Sequence, residues 1–395
     1  MAHITLNKTS DTGAWPVRVL VLLAVLFSLA ACGSRPDVGA LALNETPAAG
    51  ATSHDIMVVT TRERDSRPDT YFSGERSTQV NYAHATISVP PSHEPSQVEW
   101  PKSLPGDPET EFVARDAGYI DNQDAFAREI NRKLAKLPKG ERKVFLFIHG
   151  YNTLFPEALY RFVQVVHDGD IDGVPVLFTW ASRGKLQDYV YDLNSAAIAR
   201  QSLAETMLLL AKTNAEEITI LAHSMGNWLL METAIQSSPA QRKALEGKLD
   251  LVILAAPDID IDLFKAQLKK LGTPANPYVV VVSRDDKALR VSRAIAGGKE
   301  RVGAYSNDEE LAELGAIVID VTELDSLDAA NHSKFAQLAQ LSPQFRSTLG
   351  QSGLRARTNA TRGATLGDSL GTFVGNTVAL PVNIVTAPFT YSGAR

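Results

Sequence analysis

EITILAHSMGNWLLMETAIQ, Glu217–Gln236, reads as three pieces of local structure in succession. Ile218 to Leu221 is a short apolar run of the kind a buried strand shows. The chain then breaks at Ala222-His223-Ser224-Met225-Gly226. Beyond the break, Trp228, Leu229, Met231 and Ile235 take up helical spacing. A serine therefore stands at the apex of a strand-to-helix turn. Small residues two positions either side suit such a turn, because larger side chains would strike the strand or the helix. Gly226 meets that need, and Ala222 stands where glycine is commonest. The turn also sets the Met225 N–H at a helix start, where it can donate to a developing oxyanion.

The same alternation extends both ways from the turn. Upstream, apolar runs at Ile56–Thr60, residues 82–89, Lys143–Ile148 and Val174–Trp180 read as strands. Helical spacing separates them at Ala125–Leu137, about residues 158–166 and about Asp188–Ala211. Downstream, Leu249–Ala255, Tyr278–Ser283 and Ile317–Val321 read as strands. Strands alternating with helices predict an α/β fold, a mostly parallel sheet with helices on both faces. Residues 62–81 are polar, and residues 90–124 are proline-rich and irregular. Only Asp258 to Pro277 separates two of the later strands, room for about one helix. No large cap domain is expected there, and the cleft should be fairly open unless residues 62–81 or 90–124 fold over it.

Acyl transfer by a serine needs a base, an acid to orient the base, and donors for the oxyanion. In open α/β sheets these groups gather beyond the carboxyl ends of the strands. Ser224 follows one inferred strand, Asp285 and Asp286 follow another, and His332 follows the last. The order Ser, Asp, His is that of the α/β-hydrolases. The other histidines compete poorly with His332. His223 should project to the opposite side of the turn, His84 lies within a strand, and His167 lies near a helix end. His149, before Gly150, suits an oxyanion loop in which Gly150 lets the backbone approach a substrate carbonyl. The N–H of Tyr151 or a neighbour would join that of Met225. Asp286 is the favoured acid, with Asp285, Asp260 and Asp258 as alternatives, and only one of the adjacent pair can point at His332.

Both ends of the chain differ from the body. Val19 to Ala31 is apolar, of signal-peptide length and short for a membrane span. It ends in Leu29-Ala30-Ala31-Cys32, and Cys32 is the only cysteine, so no internal disulfide forms. Leu-Ala-Ala-Cys resembles the bacterial lipobox. That resemblance implies cleavage before Cys32, a lipid on its sulfur, and an envelope location, with Gly33 favouring the outer membrane over the inner. The expected divisions are a signal peptide at 1–31, a flexible tether at 32–54, the body at 55–345 and a glycine-rich tail at 346–395. The tail repeats Gly363, Gly367, Gly371 and Gly375. A net charge of −6 and the lack of an aromatic-interleaved basic patch give no reason to expect nucleic acid. No dinucleotide or P-loop glycine pattern is present, and no cofactor or metal is expected.

Several short segments together carry a further resemblance. They are FSGER (72–76), HGYN (149–152), FTWAS (178–182), AHSMGN (222–227), APDID (256–260), SRDDKAL (283–289) and NHS (331–333). Together they resemble a bacterial α/β-hydrolase family, esterase- or lipase-like and of unknown physiological function, over about residues 55–340. The resemblance implies that Asp286 is the acid and that Asp258-Ile-Asp260 is a family feature. The expectation is thus a lipid-anchored serine hydrolase acting on small-molecule or lipid esters. The alternative is a non-catalytic envelope lipoprotein that uses the same scaffold to bind a partner.

Overall fold

The computed structural model describes Arg35 and residues 37–272, 274, 276–326, 328–341 and 383–386. Three strands come first: β1 (Thr52–Arg64), β2 (Phe72–Val89) and β3 (Val113–Ile120). Helix α1 (Gln123–Leu134) leads to β4 (Lys143–Ile148), then α2 (Phe155–Asp168), β5 (Val174–Thr179) and α3 (Tyr189–Lys212). The quoted stretch is β6 (Glu217–His223) and α4 (Met225–Gln236), followed by α5 (Pro239–Glu246) and β7 (Leu249–Ala255). Next come α6 (Ile261–Leu271), β8 (Tyr278–Val282), α7 (Lys287–Ile295), α8 (Asp308–Glu313), β9 (Ala316–Asp320) and β10 (Asn383–Thr386). Their order across one sheet is β10-β9-β8-β7-β6-β4-β5-β1-β2-β3. The block from β9 to β1 is parallel, while β2, β3 and β10 pair antiparallel with their neighbours. The α/β fold expected above is the one observed, and a single helix, α6, lies between β7 and β8.

Handedness decides how the faces are covered. Crossovers between parallel strands are right-handed, so the direction of travel across the sheet fixes which face a helix lands on. From β3 to β4, and from β5 through β9, the chain always moves the same way. The buried side chains of α1, α3, α4, α5, α6 and α8 accordingly share one core. Only β4 to β5 runs in reverse, so α2 covers the opposite face. Along β4 the alternation is visible: Val144, Leu146 and Ile148 face the first core, and Phe145 and Phe147 face the second.

One helix cannot cover that second face, and irregular chain covers the rest. Leu41 is buried there, and its N–H donates to the Asp69 carbonyl at 2.9 Å. The Tyr160 hydroxyl of α2 donates to the Ala40 carbonyl at 2.8 Å. Residues 37–51, expected as tether, are therefore docked on the body, because an apolar sheet face would otherwise be wet. Trp100 stacks on Tyr160, and Phe112 is fully buried beside them. The segment expected to be wholly irregular also supplies β3. Gly118 and Asp116 weaken its strand signal, but pairing with β2 overrides it. A Cβ at Gly118 would sit 2.8 Å from the His84 ring, which lies across it. Residues 62–81 are likewise mostly strand, since β1 runs to Arg64 and β2 starts at Phe72.

Residues 1–34, including Cys32, and the glycines of 363–375 lie outside the described residues. The tail does contribute β10, antiparallel on β9, with Ile384 and Val385 packed on the two cores. Among the described residues no helix is long and apolar enough to cross a membrane.

Candidate active site

Ser224 sits between β6 and α4 at φ 53° and ψ −123°. A non-glycine residue in that region costs about 1–3 kcal/mol and persists only where its surroundings enforce it. Here they do. The Ser224 N–H donates to the Ala255 carbonyl at 3.0 Å. Its own carbonyl accepts from the N–H of Asn227 at 3.0 Å and of Asp258 at 3.2 Å. The buried Asn227 amide spans Ser224 and Ala255 from below, at 3.1 and 2.8 Å. Gly226 is required because a Cβ there would lie 2.5 Å from the His149 carbonyl oxygen and 2.7 Å from that of Ile148.

The loop after β9 brings His332 to this turn. Its imidazole Nδ1 lies 2.6 Å from Oδ2 of the fully buried Asp286. Asp286 also caps α7, accepting from the Leu289 N–H at 2.9 Å, so one carboxylate is fixed by a helix start and holds a ring. Burial works against a charge on His332. The Asp286 carboxylate outweighs it, helped by the fields of Asp258 and Asp328, and the imidazole pKa is raised above its ordinary value. Asp328 builds the turn that presents the ring, accepting the N–H groups of Ala330, His332 and Ser333.

The other three aspartates are occupied elsewhere. Asp285 accepts from Lys334 Nζ at 2.8 Å and from the Asn331 amide at 2.7 Å, so it pins the loop on either side of His332. Asp258 is a buried brace beneath the turn, paired with Arg301 and hydrogen-bonded by Tyr189 and Ser292. Asp260 caps α6 through the N–H groups of Asp262 and Leu263.

His223 departs from expectation. Its ring faces the site, 4.5 Å from the His332 ring and 4.3 Å from that of Phe335. Burial, and then the neighbouring His332, hold its pKa well below the ordinary value. The neutral ring donates from Nε2 to the His332 carbonyl at 3.2 Å. The side chain before the apex thus faces the descending His332 loop and positions it.

Gly150 touches the turn directly. A Cβ on it would lie 2.8 Å from Ser224 Cβ and 3.1 Å from His223 Nδ1. The loop holding Gly150 and Tyr151 is fixed by buried polar groups. His149 stacks flat on Trp180 and donates from Nδ1 to the Gly150 carbonyl at 2.7 Å. Burial and the nearby Arg62 lower its pKa to about 3, so it is neutral. The Asn152 N–H donates to Asp192 at 3.0 Å, and the Thr153 N–H to Ser182 Oγ at 2.9 Å. The Tyr151 hydroxyl donates to the Leu186 carbonyl at 2.6 Å. Ser224 itself is only 3% exposed. Glu75 of β2 pairs with Arg183 beyond β5, and the Tyr191 hydroxyl donates to the Gly74 carbonyl.

Arg62 and Asp192 were not read from the sequence. Arg62 is wholly buried, and burial lowers its pKa to about 10 against the pull of Asp192 and Glu157. Its guanidinium reaches Thr179 Oγ1 and the carbonyls of Ser73, Ser182 and Thr153. No sequence signal marks Arg62: β1 is buried on both faces and its register shifts between Thr60 and Arg62. Arg62→Met is expected to cost about 1–3 kcal/mol, because it leaves the acceptors at Thr179, Ser73, Ser182 and Thr153 without their donor. Urea unfolding measures this. Arg62→Lys should recover only part of the loss, since an ammonium cannot fork to these partners.

Residues 122–349, more than half of the chain, match the family described as alpha/beta hydrolase of unknown function (DUF900). No curated protein matches the chain. Among solved structures, esterase B from Lactobacillus rhamnosis is 12% identical at a TM-score of 0.36, with 89% of this chain and 100% of that chain covered. An esterase from Rhizomucor miehei is 15% identical at a TM-score of 0.30, with 89% and 92% covered. At those scores the likeness carries no argument about activity. The parallel sheet, the strained serine turn and the extent of the sequence match lead to one assignment: the chain belongs to the alpha/beta hydrolase family of unknown function.

Proposed function

We propose that this protein is a serine hydrolase that cleaves carboxylic esters through an acyl-enzyme on Ser224. The observation that carries this reading is the 2.6 Å pair between His332 Nδ1 and the buried Asp286, set beside a serine on an enforced left-handed turn. With Nδ1 held by Asp286, Nε2 is the nitrogen left to take the Ser224 proton. Ser224 Oγ then bonds to the ester carbonyl carbon, and the oxyanion is received by N–H groups of Met225 and of the Gly150–Tyr151 loop. Collapse breaks the ester C–O bond, and His332 returns its proton to the alcohol as it leaves. Water, deprotonated by the same ring, releases the acid and restores Ser224.

Turnover of p-nitrophenyl acyl esters of graded chain length, with fluorophosphonate labelling mapped by mass spectrometry, tests this. The expected result is burst kinetics and a single label on Ser224. A chain that hydrolyses none of the panel and leaves Ser224 unlabelled is a scaffold that binds a partner. The same reading places the protein in the cell envelope through a lipid on Cys32, supported by the Leu29–Cys32 motif alone. Membrane-fraction recovery and palmitate incorporation should both vanish in Cys32→Ala, and retention of either argues against the anchor.

A further inference from the structure

Beneath the sheet, at the end opposite Ser224, three histidines from distant parts of the chain converge. His54 lies near the start of β1, His93 in the loop after β2, and His167 in the last turn of α2 next to Asp168. One donor atom from each of His93, His167 and Asp168 lies within 4.8 Å of the others. In each of the three, the remaining polar atom is already committed. His93 Nδ1 is held by Glu99 Oε2 at 2.8 Å. His167 Nδ1 is held by His54 Nε2 at 3.0 Å. Asp168 Oδ2 accepts from the Ser96 N–H at 2.5 Å and the Gln164 amide at 2.6 Å. By elimination the donor atoms are His167 Nε2 together with His93 Nε2 and Asp168 Oδ1, which are hydrogen-bonded to each other at 2.8 Å, so an ion enters by displacing the proton between them.

From this arrangement we infer that His93, His167 and Asp168 form a binding site for a divalent transition-metal ion of the zinc class. Two imidazole nitrogens and a carboxylate oxygen are zinc's ordinary ligands, leaving a fourth position for water. Each ligand is backed by a partner that fixes its orientation, as metal ligands usually are. Donors around a tetrahedral zinc sit about 3.3 Å apart, so an ion would part His93 Nε2 from Asp168 Oδ1 by roughly 0.5 Å and bring any wider pair of the set inward. The ion would tie α2 to the irregular segment that covers the helix-poor face, so binding and local stability are coupled. It is remote from Ser224, and its role is to secure that covering rather than to take part in ester cleavage.

The test uses the purified full chain, stripped with a chelator and titrated with zinc chloride in a calorimeter, with cobalt as a spectroscopic substitute. The expected result is one equivalent bound, a rise in Tm on adding zinc, and cobalt ligand-field bands. His167→Leu should abolish all three, and Glu99→Gln should weaken binding by about 10–100-fold. His332→Ala should leave them unchanged, which separates this site from the one that hydrolyses esters. Should His93→Gln or His167→Leu unfold, Glu99→Gln and the wild-type stoichiometry still decide. Less than a tenth of an equivalent on the wild type, or zinc binding that survives His167→Leu, overturns the proposal and leaves His93 as an ion-paired bolt between Glu99 and Asp168.

Discussion

Ser224→Ala is expected to lower kcat for any accepted ester by about four to six orders of magnitude while the protein stays folded. The size follows from the kind of group removed. Without the hydroxyl no acyl-enzyme forms, and neither His332 nor the backbone donors can replace the lost bond. What survives is water attack within a site that still binds substrate and an oxyanion. The fold should survive because alanine also carries a Cβ, so the strain at φ 53° is unchanged. The bonds enforcing that turn use the Ser224 backbone, to Ala255, Asn227 and Asp258, and none uses the hydroxyl. A Tm within a degree or two of wild type, with turnover reduced to the small residual that binding and the oxyanion donors still supply, is the expected pair of readings. Activity within tenfold of wild type would remove Ser224 from the mechanism, whatever the geometry around it.

The parts of this arrangement that could be read from the chain are those fixed by short range. The turn at Ala222–Gly226 is local, and its steric demand is met by residues within a few positions, so a strand, a serine and a helix were legible together. The parallel strands are continuous apolar runs, and burial on both faces leaves no alternation to misread. What escaped depends on pairing at a distance. β3 contains Asp116 and Gly118 and is a strand because β2 lies beside it. Residues 37–51 look like linker by composition. They dock because right-handed crossovers leave the α2 face short of helices, which is a property of the whole topology. Arg62 resembles the end of an exposed strand until its carbonyl partners at Ser73, Thr153 and Ser182 are seen. His54, His93 and His167 share no spacing motif, and only the packing of α2 against the loop after β2 brings them together.

Asp286→Asn carries the second large effect, and its pH dependence is more telling than its size. Loss of the carboxylate should lower kcat/KM near neutral pH by about 10,000-fold, because an amide can hold the imidazole in the wrong tautomer and cannot balance its charge. The base must be neutral to accept the Ser224 proton, so wild-type activity rises with pH through the His332 pKa. Burial alone would lower that pKa, and Asp286 raises it above 6.5. The acidic limb of the wild-type profile should therefore lie above pH 6.5. In Asp286→Asn the desolvation remains and the main opposing charge is gone, so the limb should move to lower pH. Stability should follow the same group. The raised folded-state pKa adds stability that is fully present below the unfolded value and is lost as pH rises through the folded value. Asparagine is also a good N-cap, so the α7 start at Leu289 is preserved. The Tm gap between wild type and Asp286→Asn should then be wider at pH 5.5 than at pH 8.5. A variant with the same acidic limb as wild type would mean that another carboxylate, with Asp258 nearest in its influence on the ring, sets the charge of His332.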